Sequence, residues 1–276
     1  MVSIQLSRIE RWLHCERTIV ALGLALLTLL AWLYLLRGAG TGMSVWAMSS
    51  WQLPALLSLT PQSISWDVYY ALLMLTMWWV MMIAMMLPSA APMILLYARV
   101  LRHNRDFYTR SNDSFKWLLL ERTGCFVLGY LLAWLLFSVL AAAIQWGLEQ
   151  SGLLHSMMMW SSSRVCSGVL LLLAGVYQLS SMKTQCLQQC RAPAEFIARY
   201  SADGPLRMGW RHGVFCVGCC WALMTLLFVG GAMNLLWIVG LSLLVLLEKL
   251  LPTGHLYSRL TGGVLLAAGV GLLVFL

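Results

Sequence analysis

The feature that most constrains this chain is its succession of long apolar runs. Residues 18–36, 69–97, 120–146, 164–182, 210–230, 233–251 and 258–276 carry charge only at their ends. At 1.5 Å of rise per residue each run is long enough, as a helix, to cross about 30 Å of hydrocarbon. Backbone N–H and C=O groups in lipid find no water, so the expected form of each run is an α-helix. The expected fold class is therefore all-α, a polytopic transmembrane helical bundle of about seven spans. Residues 1–17 read as a cytoplasmic N-terminal segment and residues 18–276 as a single transmembrane helical domain.

Composition agrees with lipid as the solvent. Of 276 residues, 61% are hydrophobic and 10% charged, against about a quarter charged in soluble domains. The mean hydropathy is +0.81. The net charge of +8 does not point to nucleic acid, because the basic residues sit in short segments between apolar runs, where topology explains them. With the N-terminus inside, Arg8, Arg11, Arg17, Arg99, Arg102, Arg105, Arg110, Lys116, Arg122, Lys183, Arg191, Arg199, Arg207, Arg211, Lys249 and Arg259 all face inward. These are sixteen of the eighteen basic residues, leaving Arg37 and Arg164 outside. That asymmetry predicts an N-in, C-out arrangement.

The N-terminal basic region followed by the run from about Ile19 to Leu36 resembles a secretory signal, but its length favours an uncleaved signal-anchor. The second run contains Pro88 and Pro92, which predict a kink or break. Gly230-Gly231-Ala232 predicts a tight hairpin between the fifth and sixth runs. In the outer segment 37–68, Trp46, Trp51 and Trp66 suit an interfacial position. The 147–163 segment carries His155 and Met157-Met158-Met159, which fit either a soft-metal contact or a loop dipping into the interface.

Sulfur is the most distinctive chemistry. Met74, Met77, Met81 and Met85 fall within an arc of about 80° on a helix, with Met82 and Met86 at its flanks. Thioethers are soft, uncharged donors suited to Cu(I), although Met is also adaptable packing material. The fifth run begins Arg211-His212-Gly-Val-Phe-Cys216-Val-Gly-Cys219-Cys220. Helical spacing gathers Cys216, Cys219 and Cys220 within about 100° of arc. Three thiols so arranged could hold a thiophilic ion, act as a redox dithiol, or pack as small hydrophobes. Cys186 and Cys190 are spaced to share a helical face on the cytoplasmic side, where thiols remain reduced.

Glu248, near the inner end of the sixth run, is a functional candidate as an acid within an apolar segment. Residues adjacent in sequence do not face each other on a helix, so Lys249 is not its expected partner; Arg211 or His212, at similar depth, is. Cys15, Cys125 and Cys166 are isolated and read as packing residues.

Several motifs carry a family resemblance. Trp79-Val-Met-Met-Ile-Ala-Met-Met-Leu-Pro-Ser-Ala-Ala-Pro-Met93, Tyr177-Gln-Leu-Ser-Ser-Met-Lys-Thr-Gln-Cys-Leu187, Gly218-Cys-Cys-Trp-Ala-Leu-Met224, Met233-Asn-Leu-Leu-Trp237 and Glu248-Lys249 resemble a family of bacterial integral membrane proteins predicted to bind metal and carrying a domain of unknown function. The resemblance begins near residue 70. It implies that Pro88, Pro92, Lys183, Cys186, Cys190, Cys219, Cys220 and Glu248 match the family pattern.

These features predict a multi-pass protein of the bacterial inner membrane that binds a soft transition metal, Cu(I) above others, for transport, delivery or homeostasis. The expected metal residues are Cys186, Cys190, Cys216, Cys219, Cys220, Met81, Met82, Met85, Met86 and Glu248. The expected partners are the lipid bilayer and a metallochaperone or other membrane protein, with no nucleic acid. No catalytic residue is expected, and no nucleotide-binding motif is present to drive transport. A membrane thiol–disulfide redox protein and a non-catalytic assembly subunit of a larger membrane complex remain open as alternatives.

Overall fold

The computed structural model describes residues 2–40, 49, 66–103, 112–155, 159–251 and 253–274. Trp46, Trp51, Arg105, Arg110, Met157 and Met158 lie outside the described residues. The described chain is overwhelmingly helical. Its helices are α1 (Val2–Leu36), α2 (Val68–His103), α3 (Asn112–Gln150), α4 (Arg164–Gln178), α5 (Ser181–Arg191), α6 (Pro193–Arg199), α7 (Pro205–Thr225), α8 (Leu227–Gly230), α9 (Leu235–Leu250) and α10 (Gly254–Val274).

Five stretches are long and apolar enough to cross a membrane: Thr18–Leu36, Val68–Arg102, Trp117–Gln150, Pro205–Gly230 and Gly254–Val274. The bent pair α4 and α5, turned by 62° at its break, would add a sixth if it acts as one span. The fourth and sixth expected spans are thus the shortest. α4 has 15 residues and α9 has 16, below the roughly 20 that a straight crossing needs. Ser180 accounts for the bend at α4. Its hydroxyl accepts the Lys183 N–H as an N-cap and restarts the helix in a new direction.

Pro88 and Pro92 do not break α2, which runs without interruption past both. Hydroxyls close by serve the backbone there: Ser89 Oγ and Tyr130 Oη both donate to the Met86 carbonyl, at 2.8 and 3.1 Å. Between α3 and α4 a two-residue antiparallel ladder, β1 (Leu154–His155) with β2 (Trp160–Ser161), occupies what periodicity left as loop. Gly231 at φ +96° carries the turn between α8 and α9, and Asn234 caps α9 through its side chain.

The bundle is assembled from close helix pairs: α3 on α7, α4 on α10, α1 on α2 and α2 on α3. The α3–α7 crossing is close because Gly209 meets the Phe126 carbonyl, where any Cβ would collide with backbone. Small residues at such crossings let helices in lipid gain dispersion contact that a hydrophobic effect cannot supply. The outward faces of α1, α4 and α10 expose Leu and Val, while the sulfur-bearing faces of α2 and α7 are buried.

Candidate metal centre

The α3–α7 crossing brings Tyr130 against Cys216. The Tyr130 hydroxyl lies 3.1 Å from Cys216 Sγ and donates to the Met86 carbonyl on α2, so one phenol joins three helices. On α7, Cys219 and Cys220 both turn their thiols back to the Cys216 carbonyl, at 3.1 and 2.9 Å. Cys220 Sγ also lies 3.9 Å from Met86 Sδ. All three cysteines and Met86 are at most 2% exposed. The two sulfur motifs expected from sequence, one on α2 and one on α7, therefore meet.

α5 adds the other thiols. Its 62° turn from α4 lays it along α7. Cys190 interacts through its sulfur with Cys216 and Cys219, while Cys186 Sγ covers Gly218, with room for hydrogen but no side chain between them. Cys186 and Cys190 are partly buried, Cys216, Cys219 and Cys220 fully so, and all five are free thiols.

The methionine stripe is buried along its length: Met74, Met77, Met81, Met82, Met85 and Met86 are no more than 2% exposed. Met86 contacts Cys220. Met81, Met82 and Met85 lie in the core just before it. Met74 begins the stripe about 18 Å away along the helix, where its sulfur accepts a 3.4 Å contact from Gln145 Nε2. Gln145 belongs to a second polar cluster. It accepts from Trp78 Nε1 at 2.7 Å and donates to Glu149, which also accepts from Trp66 Nε1 at 2.7 Å.

Glu248 and Lys249 diverge as neighbours on a helix must. Glu248 takes Lys183 at 2.7 Å, not Arg211 or His212, and also accepts from Gln178 and Ser258 at 3.0 Å each. Lys183 donates to Gln178 as well. Arg211 pairs instead with Asp203 at 3.0 Å, and His212 lies among the rings of Phe126, Tyr130 and Phe196. Lys249, on the other face of α9, reaches Cys216 Sγ at 2.9 Å and Ser89 Oγ at 3.0 Å.

Sequence reasoning missed Lys249, Tyr130 and Ser89 as neighbours of the sulfur cluster. Lys249 could have been singled out by the rule that flagged Glu248, since it too is ionisable within an apolar run. Tyr130 and Ser89 carry no such signal, because a hydroxyl in a helix is unremarkable until its partner is known.

Chemically, the cluster offers thiols and a thioether in a dry setting beside the Lys249 ammonium. Among the described residues no three His, Cys, Asp or Glu side chains are arranged to hold a metal ion, so a closed tetrahedral zinc-type centre is not formed by those residue types. Pairs of sulfurs supplemented by Met86 suit a soft ion of low coordination number.

A helical bundle with several helices apolar enough to cross a membrane, enclosing a thiol–thioether cluster, is the class these observations define. The sequence model of a family described as PpoB2, copper chaperone, matches residues 75–272. That interval takes in most of α2 through most of α10, with Met81, Met82, Met85, Met86 and all five clustered cysteines, while Met74 lies one residue before it. The chain belongs to this family. No curated protein and no solved structure matches it.

Proposed function

We propose that this protein is a multi-pass protein of the bacterial inner membrane that binds Cu(I) in the cluster shared by α7, α5 and α2 and delivers or transports it. The observation that carries the reading is the 3.9 Å approach of Cys220 to Met86, residues 134 positions apart. It joins the thiol and thioether motifs into one soft donor set. The family's description as copper chaperone agrees with that chemistry.

In this reading two thiolates drawn from Cys216, Cys219 and Cys220 hold the ion at one time, with Met86 as the thioether. Met81, Met82 and Met85 line the approach within the bilayer, where thioethers carry a soft cation without buried carboxylates. Cys190 and Cys186 receive or hand on the ion by ligand exchange with a metallochaperone or another membrane protein. Glu248 acts as a positioning residue: its oxygens are engaged by Lys183, Gln178 and Ser258, and this locks α5 and its cysteines against α9.

The topology that fits is seven spans, N-in and C-out, with α4 and α9 as short spans. The sixteen-to-two division of basic residues supports it. The cluster then lies in the cytoplasmic half, where thiols remain reduced. The test is anaerobic titration of purified protein against a Cu(I) chelator. Wild type should take up near-stoichiometric Cu(I), and Cys219→Ser with Cys220→Ser should abolish uptake. Full affinity in that double variant would overturn the assignment.

A further inference from the structure

Lys249 is a buried cation whose charge is answered by sulfur. Its side chain is enclosed between α9, α2 and α7, with the residue 8% exposed. Nζ reaches Cys216 Sγ at 2.9 Å and Ser89 Oγ at 3.0 Å. Ser89 commits its own proton to the Met86 carbonyl, so it presents a lone pair to the ammonium. No carboxylate pairs with Lys249 among the described residues: Glu248 is held by Lys183, and Asp203 by Arg207 and Arg211.

A net charge in a dry interior is strongly disfavoured, so the occupied site should sum to zero. The ammonium contributes one positive charge. A monovalent ion adds one more, and two thiolates cancel both. A divalent ion with the same two thiolates leaves one positive charge over. A third thiolate would remove it, but among the described residues no three cysteines are arranged to share an ion.

We propose that Lys249 is the specificity-determining residue of the site, restricting the cargo to monovalent soft ions, Cu(I) and Ag(I), against divalent Zn(II) and Cd(II). Its position beside Cys216 and behind Ser89 lets it set the charge of the site without occupying a ligand position. The inference rests on the copper reading above and names what that site selects.

The experiment compares Cu(I), Ag(I), Zn(II) and Cd(II) binding to full-length wild type, Lys249→Met and Lys249→Arg in detergent or nanodiscs under anaerobic conditions. Lys249→Met keeps the volume and removes the charge. Its Cu(I) and Ag(I) affinities are expected to fall about tenfold or more while those for Zn(II) and Cd(II) hold or rise. Lys249→Arg should retain the wild-type preference. A purely structural lysine would weaken all four ions in parallel, and that result, or an unchanged selectivity ratio, overturns the proposal. Should Lys249→Met not fold, wild type decides: Ag(I) must displace Cu(I) one for one, and one-for-one displacement by Cd(II) overturns the proposal. If wild type holds neither Cu(I) nor Ag(I), the copper reading itself fails. If it holds both and only the selectivity shift is missing, the copper reading stands and the role of Lys249 does not.

Discussion

Lys183 and Glu248, 65 residues apart, form an ion pair of 2.7 Å whose side chains are 1% and 2% exposed. Gln178 and Ser258 complete the shell around the carboxylate. The pair ties α5, which carries Cys186 and Cys190, to α9, which carries Lys249, so it holds two walls of the sulfur cluster in register. Breaking such a pair by removing one partner leaves an uncompensated buried charge and costs about 3–5 kcal/mol, whereas replacing both with apolar groups is often close to neutral. Glu248→Gln or Lys183→Met alone should therefore lower the unfolding temperature markedly. Lys183→Met with Glu248→Leu should recover much of the loss, as read by thermal unfolding in detergent. Strict additivity of the two single losses would contradict this role for the pair.

The α3–α7 crossing makes a steric prediction. Gly209→Leu must drive a side chain into the Phe126 backbone, and overpacking of this kind costs about 1–3 kcal/mol or more. Separation of α3 from α7 would also carry Tyr130 away from Cys216, so metal retention should fall with stability. Gly147→Ala and Gly240→Ala, where an added Cβ has nothing within 4 Å, serve as controls and should leave both unchanged. Melting temperature and bound metal per chain, measured on one preparation, check this.

Tyr130→Phe deletes a hydroxyl that bridges Cys216 and the Met86 carbonyl while keeping the ring. A hydrogen bond of this kind is worth about 1 kcal/mol net, so the fold should survive. Cu(I) affinity should fall by roughly fivefold to tenfold, the factor that corresponds to about that energy. Chelator competition measures it. Unchanged affinity would show that the phenol does not orient the cluster.

The inferred topology is open to direct mapping. A membrane-impermeant thiol reagent applied to intact cells should label a single cysteine introduced at Ser151, in the segment after α3. It should label one introduced at Ser201, between α6 and α7, only after the inner membrane is breached. Each is placed in a background lacking the other thiols. The reverse pattern, or labelling of both from the same side, would contradict seven spans with the N-terminus inside.

Much of the fold was legible because lipid imposes a simple rule: apolar runs become helices. The run at 18–36 matches the candidate span Thr18–Leu36 almost residue for residue. The stripe on α2 was legible because helical periodicity fixes which methionines share a face. The break that Pro88 and Pro92 could have caused did not occur, since α2 runs through both. Partner choice was the least legible element. The rule that adjacent residues diverge on a helix separated Glu248 from Lys249, but it could not say that α5 would bring Lys183 to one and α7 would bring Cys216 to the other. Arg211, at a suitable depth for Glu248, is taken instead by Asp203 on the turn before α7.

The central claim is that Cys216, Cys219, Cys220 and Met86 form one soft-metal site. X-ray absorption at the copper edge, on protein loaded anaerobically with one equivalent of Cu(I), tests it most directly. The account predicts Cu(I) in a sulfur-only first shell of low coordination number, with that signal lost in Cys219→Ser with Cys220→Ser. A first shell of nitrogen or oxygen, or an unchanged sulfur shell in the double variant, would contradict it.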